Sequence, residues 1–288
     1  MNSVNSVSLP PLGLDLVIKN INELPSPSLV MVELLHAVDQ DDSSPVALAK
    51  SISRHQSLVA RMLRMANSSF YGMPGRVETI ADAIVVLGLR TVRNLAVTAG
   101  LFDSLTVISA PGFDLDNFWR HSVATALGAN ALARRMNLKE GSAFVAGLLH
   151  DVGRLVLASN FPEHFAAVQR YQSEYDGFPL EAEQTILGID HAAIGSLLGK
   201  HWLFPATICN AIASHHHPVD SENDFLAGIV HIADALAHAL DLAGNPTEMV
   251  PCISQCCWKR AGLSWHDSQA IFIEIEREFN GFDVLSKA

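Results

Sequence analysis

A histidine and an aspartate stand side by side in the run Phe144-Val-Ala-Gly-Leu-Leu-His150-Asp151-Val-Gly-Arg154-Leu-Val-Leu-Ala158. Apolar residues flank the pair on nearly every side of one helix over 140–159, so both side chains are expected to be buried. A carboxylate beside an imidazole in such a place needs a partner, either a hydrogen-bonded network or a metal ion. Four other segments supply candidates: His121 after Phe118-Trp119-Arg120, His191 directly after Asp190, the run His215-His216-His217, and Asp234 in an apolar stretch. Imidazole nitrogens and bridging carboxylates suit zinc, iron, nickel or manganese. Neighbouring residues on a helix point roughly 100° apart, so His150 and Asp151 can address one ion and the space between two.

Other polar residues carry less. Cys252-Ile-Ser-Gln-Cys256-Cys257 has no second ligand pair nearby, so buried thiols are expected rather than a zinc knuckle. His231 and His238 pair with nothing by spacing and are assigned surface or packing roles, as are His36, His55, His164, His201 and His266. Arg61, Arg64, Arg90 and Arg93 read as a solvated face, with a docking patch as the alternative. There is no phosphate-binding loop, dinucleotide fingerprint or nucleophile elbow.

The elements that must position these residues are helical. Pro-initiated or capped apolar runs at three- and four-residue spacing predict helices opening at Ser26-Pro27 and at Ser44-Pro45, and one from about Ser57. Thr79 is a good N-cap for a helix ending near Gly88, with Asp82 in its first turn. A longer helix over 89–108 carries Arg90 and Arg93 on its polar side. Further helices are expected over 115–136, 161–174, 179–187, 191–200, 205–214, 223–243 and 265–280. Beta-branched alternation never persists, so the fold class is all-α, in two helical lobes.

Composition bounds the rest. The 288 residues are 49% hydrophobic and 17% charged, enough for a sizeable core. The net charge of −11 argues against broad binding to a nucleic-acid backbone. It is uneven: residues 1–112 hold 8 basic and 9 acidic side chains, residues 113–288 hold 11 and 21. That step, at Ala110-Pro111-Gly112, predicts an N-terminal lobe over 1–112 and a C-terminal lobe over 113–288 that contains most of the 13 histidines. No apolar run reaches the roughly 18 uncharged residues of a membrane helix, and the amino terminus has no signal-peptide pattern, so a soluble, cytoplasmic protein with no membrane partner is expected.

The order His121, His150-Asp151, His191, His215-His216, Asp234 resembles the HD superfamily of metal-dependent phosphohydrolases, particularly its binuclear HD-GYP branch. The sequence around it is still more similar to the HDOD family of bacterial signalling proteins. Leu24-Pro25-Ser26-Pro27, Ala66-Asn67-Ser68-Ser69, the run from Thr79 to Gly88, and His201-Trp202-Leu203-Phe204-Pro205 all match that pattern, over about residues 20–245. The resemblance implies one divalent ion on His121, His150, Asp151 and Asp234. Asp151 would bridge to a second ion on His191, His215 and His216, with His217 an alternative to either of the latter two. Arg154 stands where many HD phosphohydrolases have a phosphate-contacting lysine, which makes Asp151 and Arg154 the implied catalytic pair and a phosphate-containing compound the implied ligand.

The departures set the functional expectation. Many HDOD proteins have lost the His-Asp pair, whereas this chain keeps it. The Gly-Tyr-Pro loop of the HD-GYP branch is missing, since only residues 218–233 separate the histidine run from Asp234. Asn117 takes the place of a carboxylate found in some trinuclear relatives. The reading is a signalling module that acts mainly through a protein partner and retains a centre for one or two ions of iron, manganese, nickel or zinc. A metal-dependent phosphohydrolase is the rival, and a metal-free scaffold with a relic hydrogen-bonded cluster is the third reading.

Overall fold

Short polar side chains start the helices that the apolar spacing calls for. Ser44 Oγ accepts from the Ala47 N–H at 3.2 Å, and Thr79 and Asp82 close a reciprocal capping box. Asp114 accepts from the Asn117 N–H at 2.9 Å, and Asp190 from the Ala193 N–H at 2.8 Å. Each satisfies a donor that the first helical turn leaves open.

The structure is a computed structural model describing residues 9–24, 44–54, 56–67, 77–105, 112–219, 225–244 and 249–286. Its N-terminal helices are α1 (Leu14–Glu23), α2 (Pro45–Ile52), α3 (Gln56–Ala66), α4 (Ile80–Leu87) and α5 (Leu89–Leu105). They are followed by α6 (Leu115–Arg135), α7 (Glu140–Leu149), α8 (Val152–Asn160), α9 (Pro162–Tyr175) and α10 (Pro179–Leu187). The chain then forms α11 (His191–His201), α12 (Ala206–Ser214), α13 (Phe225–Ala239), α14 (Gln255–Ala261) and α15 (Trp265–Ser286). No strand occurs among the described residues, and the fold is all-α. The helix expected from Ser26-Pro27 lies outside the described residues. So does most of the expected lobe border, apart from Gly112, which stands in a turn between α5 and α6.

One apolar core crosses that turn. It runs from Val17, Ile52 and Leu95 through Leu127 and Phe144 to Ile194 and Ile212. A second cluster joins α6, α13, α14 and α15 through Leu132, Ile229, Leu236, Cys257 and Ile271. Residues 140–160 have the length and composition to cross a membrane, but 89% of their most apolar stretch is buried inside the protein.

Helix α6 is the axis of this arrangement. It is buried from Phe118 to Ala133 apart from Arg120, and α7, α13 and α15 all pack on it. Small residues on α6 let its neighbours come close. A Cβ placed on Gly147 would meet the Ala126 backbone at 2.8 Å, and one on Gly128 would meet Ala233 at 3.2 Å.

Three sequence expectations are corrected. The single helix over 140–159 is two, broken at His150-Asp151, where Asp151 has φ −98° and ψ 7°. The break aims α8 at α11 so closely that a Cβ on Gly153 would lie 1.9 Å from the His191 carbonyl oxygen. Arg93 is not on a solvated face: it is buried in the wall of α5, while Arg90 remains exposed and pairs with Glu140 at 2.9 Å. Buried thiols hold for Cys209 and Cys257, but Cys252 is exposed and Cys256 half-buried.

The Gly153 contact generates a stability prediction. Gly153→Ala must push α8 and α11 apart and should cost about 3 kcal/mol, the upper range for overpacking a core. Gly177 is the control: a Cβ there would meet nothing within 4 Å, and the same substitution should change stability by less than about 0.5 kcal/mol. Urea unfolding of the two variants checks this, and equal stabilities would remove the glycine contact as a constraint.

Candidate metal centre

His121 comes from α6, His150 and Asp151 from the α7–α8 break, His191 from the first turn of α11, His215 and His216 from the end of α12, and Asp234 from α13. The structure brings all seven together around two carboxylates. Asp151 Oδ1 lies 3.1 Å from His191 Nε2, 3.5 Å from His150 Nε2 and 3.7 Å from His215 Nε2. His216 Nε2 is 2.8 Å from His191 Nε2. Asp234 Oδ1 lies 3.0 Å from His121 Nε2 and 3.6 Å from His150 Nε2. His121 and His150 face each other, Nε2 to Nε2, at 3.2 Å. His217 is exposed.

Two further residues belong to the site. His238, expected from sequence at the surface or in packing, places Nε2 3.4 Å from Asp234 Oδ1, one helical turn along α13. The four-residue spacing to Asp234 was the signal that could have found it. Glu183 on α10 is buried, and its Oε2 accepts from His191 Nδ1 at 2.6 Å and from the His191 backbone N–H at 2.8 Å. No sequence spacing pointed to Glu183, because the turn at Gly188 separates its helix from that of His191 and only the fold brings the two side chains together.

Hydrogen bonding outside the cluster decides which nitrogen faces inward. Nδ1 of His150 donates to the Gly147 carbonyl at 2.7 Å, and Nδ1 of His215 to the Ile212 carbonyl at 2.8 Å. Nδ1 of His191 donates to Glu183. In the neutral tautomers this leaves three Nε2 lone pairs pointing at the Asp151 carboxylate, acceptors facing an acceptor. His215 Nε2 is buried and makes no hydrogen bond among the described residues. A cation between these atoms resolves the conflict, so the donor set fits a divalent metal ion. Groups whose ligand atoms all lie within 4.8 Å of one another are Asp151 with His191, His215 and His216; His121 with His150 and Asp151; and His121 with Asp234 and His238.

The electrostatics agree. Burial pushes carboxyls up, yet the His150 and His191 imidazoles and the Arg154 guanidinium hold Asp151 well below the usual carboxylate range. Asp234 is held low against its burial in the same way by His121, His150 and His238. Burial lowers His121, His215 and His216. At His150 the carboxylates of Asp151 and Asp234 overcome burial and raise the imidazole, and at His191 Glu183 and Asp151 raise it to about 10. Arg154 does not reach outward: its Nη1 donates to Asp151 Oδ2 at 2.9 Å.

A pH dependence follows. Raised His150 and His191 keep their second proton to higher pH than a free imidazole does, and a metal on Nε2 must displace it, so affinity rises with pH and binding releases protons. Glu183→Gln removes the charge behind His191 and should weaken zinc or manganese binding about tenfold, the lower range for groups that support a ligand. Calorimetric titration in two buffers of different ionisation enthalpy checks both. Equal heats in the two buffers, or an unchanged affinity in the variant, would overturn this account.

Comparison with known proteins agrees with the fold. The HDOD domain matches residues 24–218. A candidate signal transduction protein from Marinobacter aquaeolei VT8 is 26% identical, with a TM-score of 0.79 over 95% of this chain and 64% of that one. A candidate phosphohydrolase from Shewanella amazonensis SB2B is 28% identical, with a TM-score of 0.66 over 90% and 97%. An HDOD domain protein from Geobacter sulfurreducens, 24% identical, shares the fold with a TM-score of 0.72 over 94% and 96%. Among curated relatives, an uncharacterized protein of Treponema pallidum is 26% identical over 235 residues, which are 80% of this chain and 45% of that protein. Ribonuclease Y of Opitutus terrae is 30% identical over 121 residues, 42% of this chain and 18% of the enzyme. The chain therefore spans less than half the length of these curated relatives. By its match over residues 24–218, and with an all-helical fold shared with HDOD structures, the chain belongs to the HDOD family.

Proposed function

We propose that this HDOD protein is a cytoplasmic signalling module whose C-terminal lobe, residues 113–288, holds divalent ions and whose N-terminal lobe, residues 1–112, engages a protein partner. His121, His150, Asp151 and Asp234 hold one ion, joined by His238. Asp151, His191, His215 and His216 hold the other. The observation that carries this reading is the convergence of imidazole Nε2 atoms on two buried carboxylates, with Nδ1 of His150, His191 and His215 already committed to outside acceptors. The family match and the likeness to a candidate signal transduction protein support the signalling half.

A second reading, a metal-dependent phosphohydrolase, is favoured by the intact His-Asp set and by the likeness to a candidate phosphohydrolase. A divalent ion in such a site would supply Lewis acidity toward a phosphoryl oxygen. The residues around it serve turnover poorly. His150 and His215 are almost fully buried, at 1% and 0% exposure. Arg154 is engaged by Asp151, so a phosphate would have to break that pair to be gripped. His217, the alternative ligand suggested by sequence, is exposed to solvent. Holding ions in a closed network is the better supported task.

Elemental analysis of purified protein should find bound metal, and Asp151→Ala should lose it together with about 3 kcal/mol of stability, because Nε2 of His191 and of His215 then face no carboxylate. Protein loaded with manganese, iron, nickel or zinc should turn over cyclic dinucleotides and nucleotide monoesters far more slowly than about one per second. Turnover near that rate, absent in Asp151→Ala, would replace the signalling module by the phosphohydrolase.

A further inference from the structure

His231 has no place in the metal set, yet it is buried at 7% exposure and both of its ring nitrogens are committed. Nδ1 donates to the His215 carbonyl at 2.8 Å, and Nε2 accepts the Ser254 backbone N–H at 2.9 Å. A carbonyl only accepts and a backbone N–H only donates, so the two partners fix a single neutral tautomer. The His215 carbonyl belongs to the peptide plane that joins His215 to His216, the two residues that carry Nε2 atoms to Asp151 and His191. His231 therefore holds the plane from which both imidazoles hang, and the chain at Ser254 holds His231.

The segment that begins at Ser254 is seated on the helix that bears Asp234. Cys257 Sγ sits against Gly228, 3.4 Å from where a Cβ would stand, and the Arg260 guanidinium lies 4.3 Å from the centre of the Phe225 ring. Residues 252–261 thus contact both the His215–His216 turn, through His231, and α13. They also lie beyond the HDOD match, which ends at residue 218.

We propose that His231 is a positioning residue that couples the metal centre to the seating of residues 252–261. The inference rests on the metal reading above and adds a route by which occupancy of the centre is felt at the surface. A shift of the His215–His216 peptide on ion binding changes its hydrogen bond to His231, and the only other polar anchor of that ring among the described hydrogen bonds is Ser254.

Ser254 allows a direct test. Its φ of −58° is already that of proline. Ser254→Pro deletes the N–H that fixes His231 with no change of φ at that residue, and Ser254→Ala deletes only the hydroxyl. Titration of the full chain with zinc or manganese should show a loss of about tenfold in affinity for Ser254→Pro and for His231→Phe, as for other groups that orient ligands. Ser254→Ala should match the parent protein. His231→Asn, which keeps a donor near Nδ1, should recover most of the affinity lost in His231→Phe. In hydrogen exchange, the metal should protect residues 252–261 in the parent and fail to do so in Ser254→Pro. Equal affinities for Ser254→Pro and Ser254→Ala, or exchange at 252–261 that ignores the metal, overturn the coupling. If the parent takes up no metal, the metal reading fails separately. The relay is then read in chelator-treated protein, where His231→Phe must speed exchange at both 210–219 and 252–261, and a change at only one of them overturns it.

Discussion

Two carboxylates buried among imidazoles must be balanced by positive charge, and the rest of this structure is arranged around that requirement. Asp151 and Asp234 are each 5% exposed, where an isolated anion would be strongly destabilised. Their neighbours are imidazoles, and several of these have already committed their Nδ1 donors to acceptors outside the cluster. Only protons or metal ions between Nε2 and carboxylate oxygen reconcile the atoms. Protons do so at His150 and His191 in the metal-free chain, to an extent that depends on pH. Metal ions would do so for the whole set.

Bringing these groups together requires helices to approach more closely than ordinary side chains allow. Gly147 against Ala126 sets the distance between the helices of His150 and His121. Gly128 against Ala233 does the same for the helices of His121 and Asp234. Gly153 against the His191 carbonyl, with Gly195 lying against Gly153, closes the third side. The alanine-rich surface of Leu115–Arg135 is therefore more than helix propensity. Larger residues there would hold the ligand-bearing helices apart.

The groups behind the cluster tie it to the rest of the fold. Glu183, the Gly147 and Ile212 carbonyls and His231 orient imidazoles without touching the space between the carboxylates. They tie the cluster to α10 and to the segment after Ser254. On the other side, Glu140 at the start of α7 pairs with Arg90 of α5 and with Arg134 of α6, which links the helix leading to His150 with the N-terminal helices. Burial and anchoring of this kind support the proposed signalling module over a centre that admits and releases substrates.

The sequence by itself determined most of the helices, though not Leu14–Glu23 or Gln255–Ala261, and the identity of most of the cluster. Apolar periodicity and capping are local, so Thr79 could be read as a helix start from neighbours a few residues away. The order of His121, His150-Asp151, His191, His215-His216 and Asp234 was legible through resemblance, because the residue types are distinctive even when their separation is large. Tertiary structure decided the rest. The break at His150-Asp151 is invisible in an uninterrupted apolar pattern, since it is set by the approach of α11 to Gly153 and by His150 Nδ1 taking the Gly147 carbonyl. Glu183 and His231 bond to residues on other helices, 8 and 16 positions away respectively, at separations no helical period predicts. His238 had a readable spacing to Asp234, but only the packing of α13 on α6 shows that this face of the helix turns toward His121 rather than toward solvent. Local pattern fixes which residues lie on a helix and which of them are apolar, whereas the meeting of polar atoms in a buried space depends on how those helices pack.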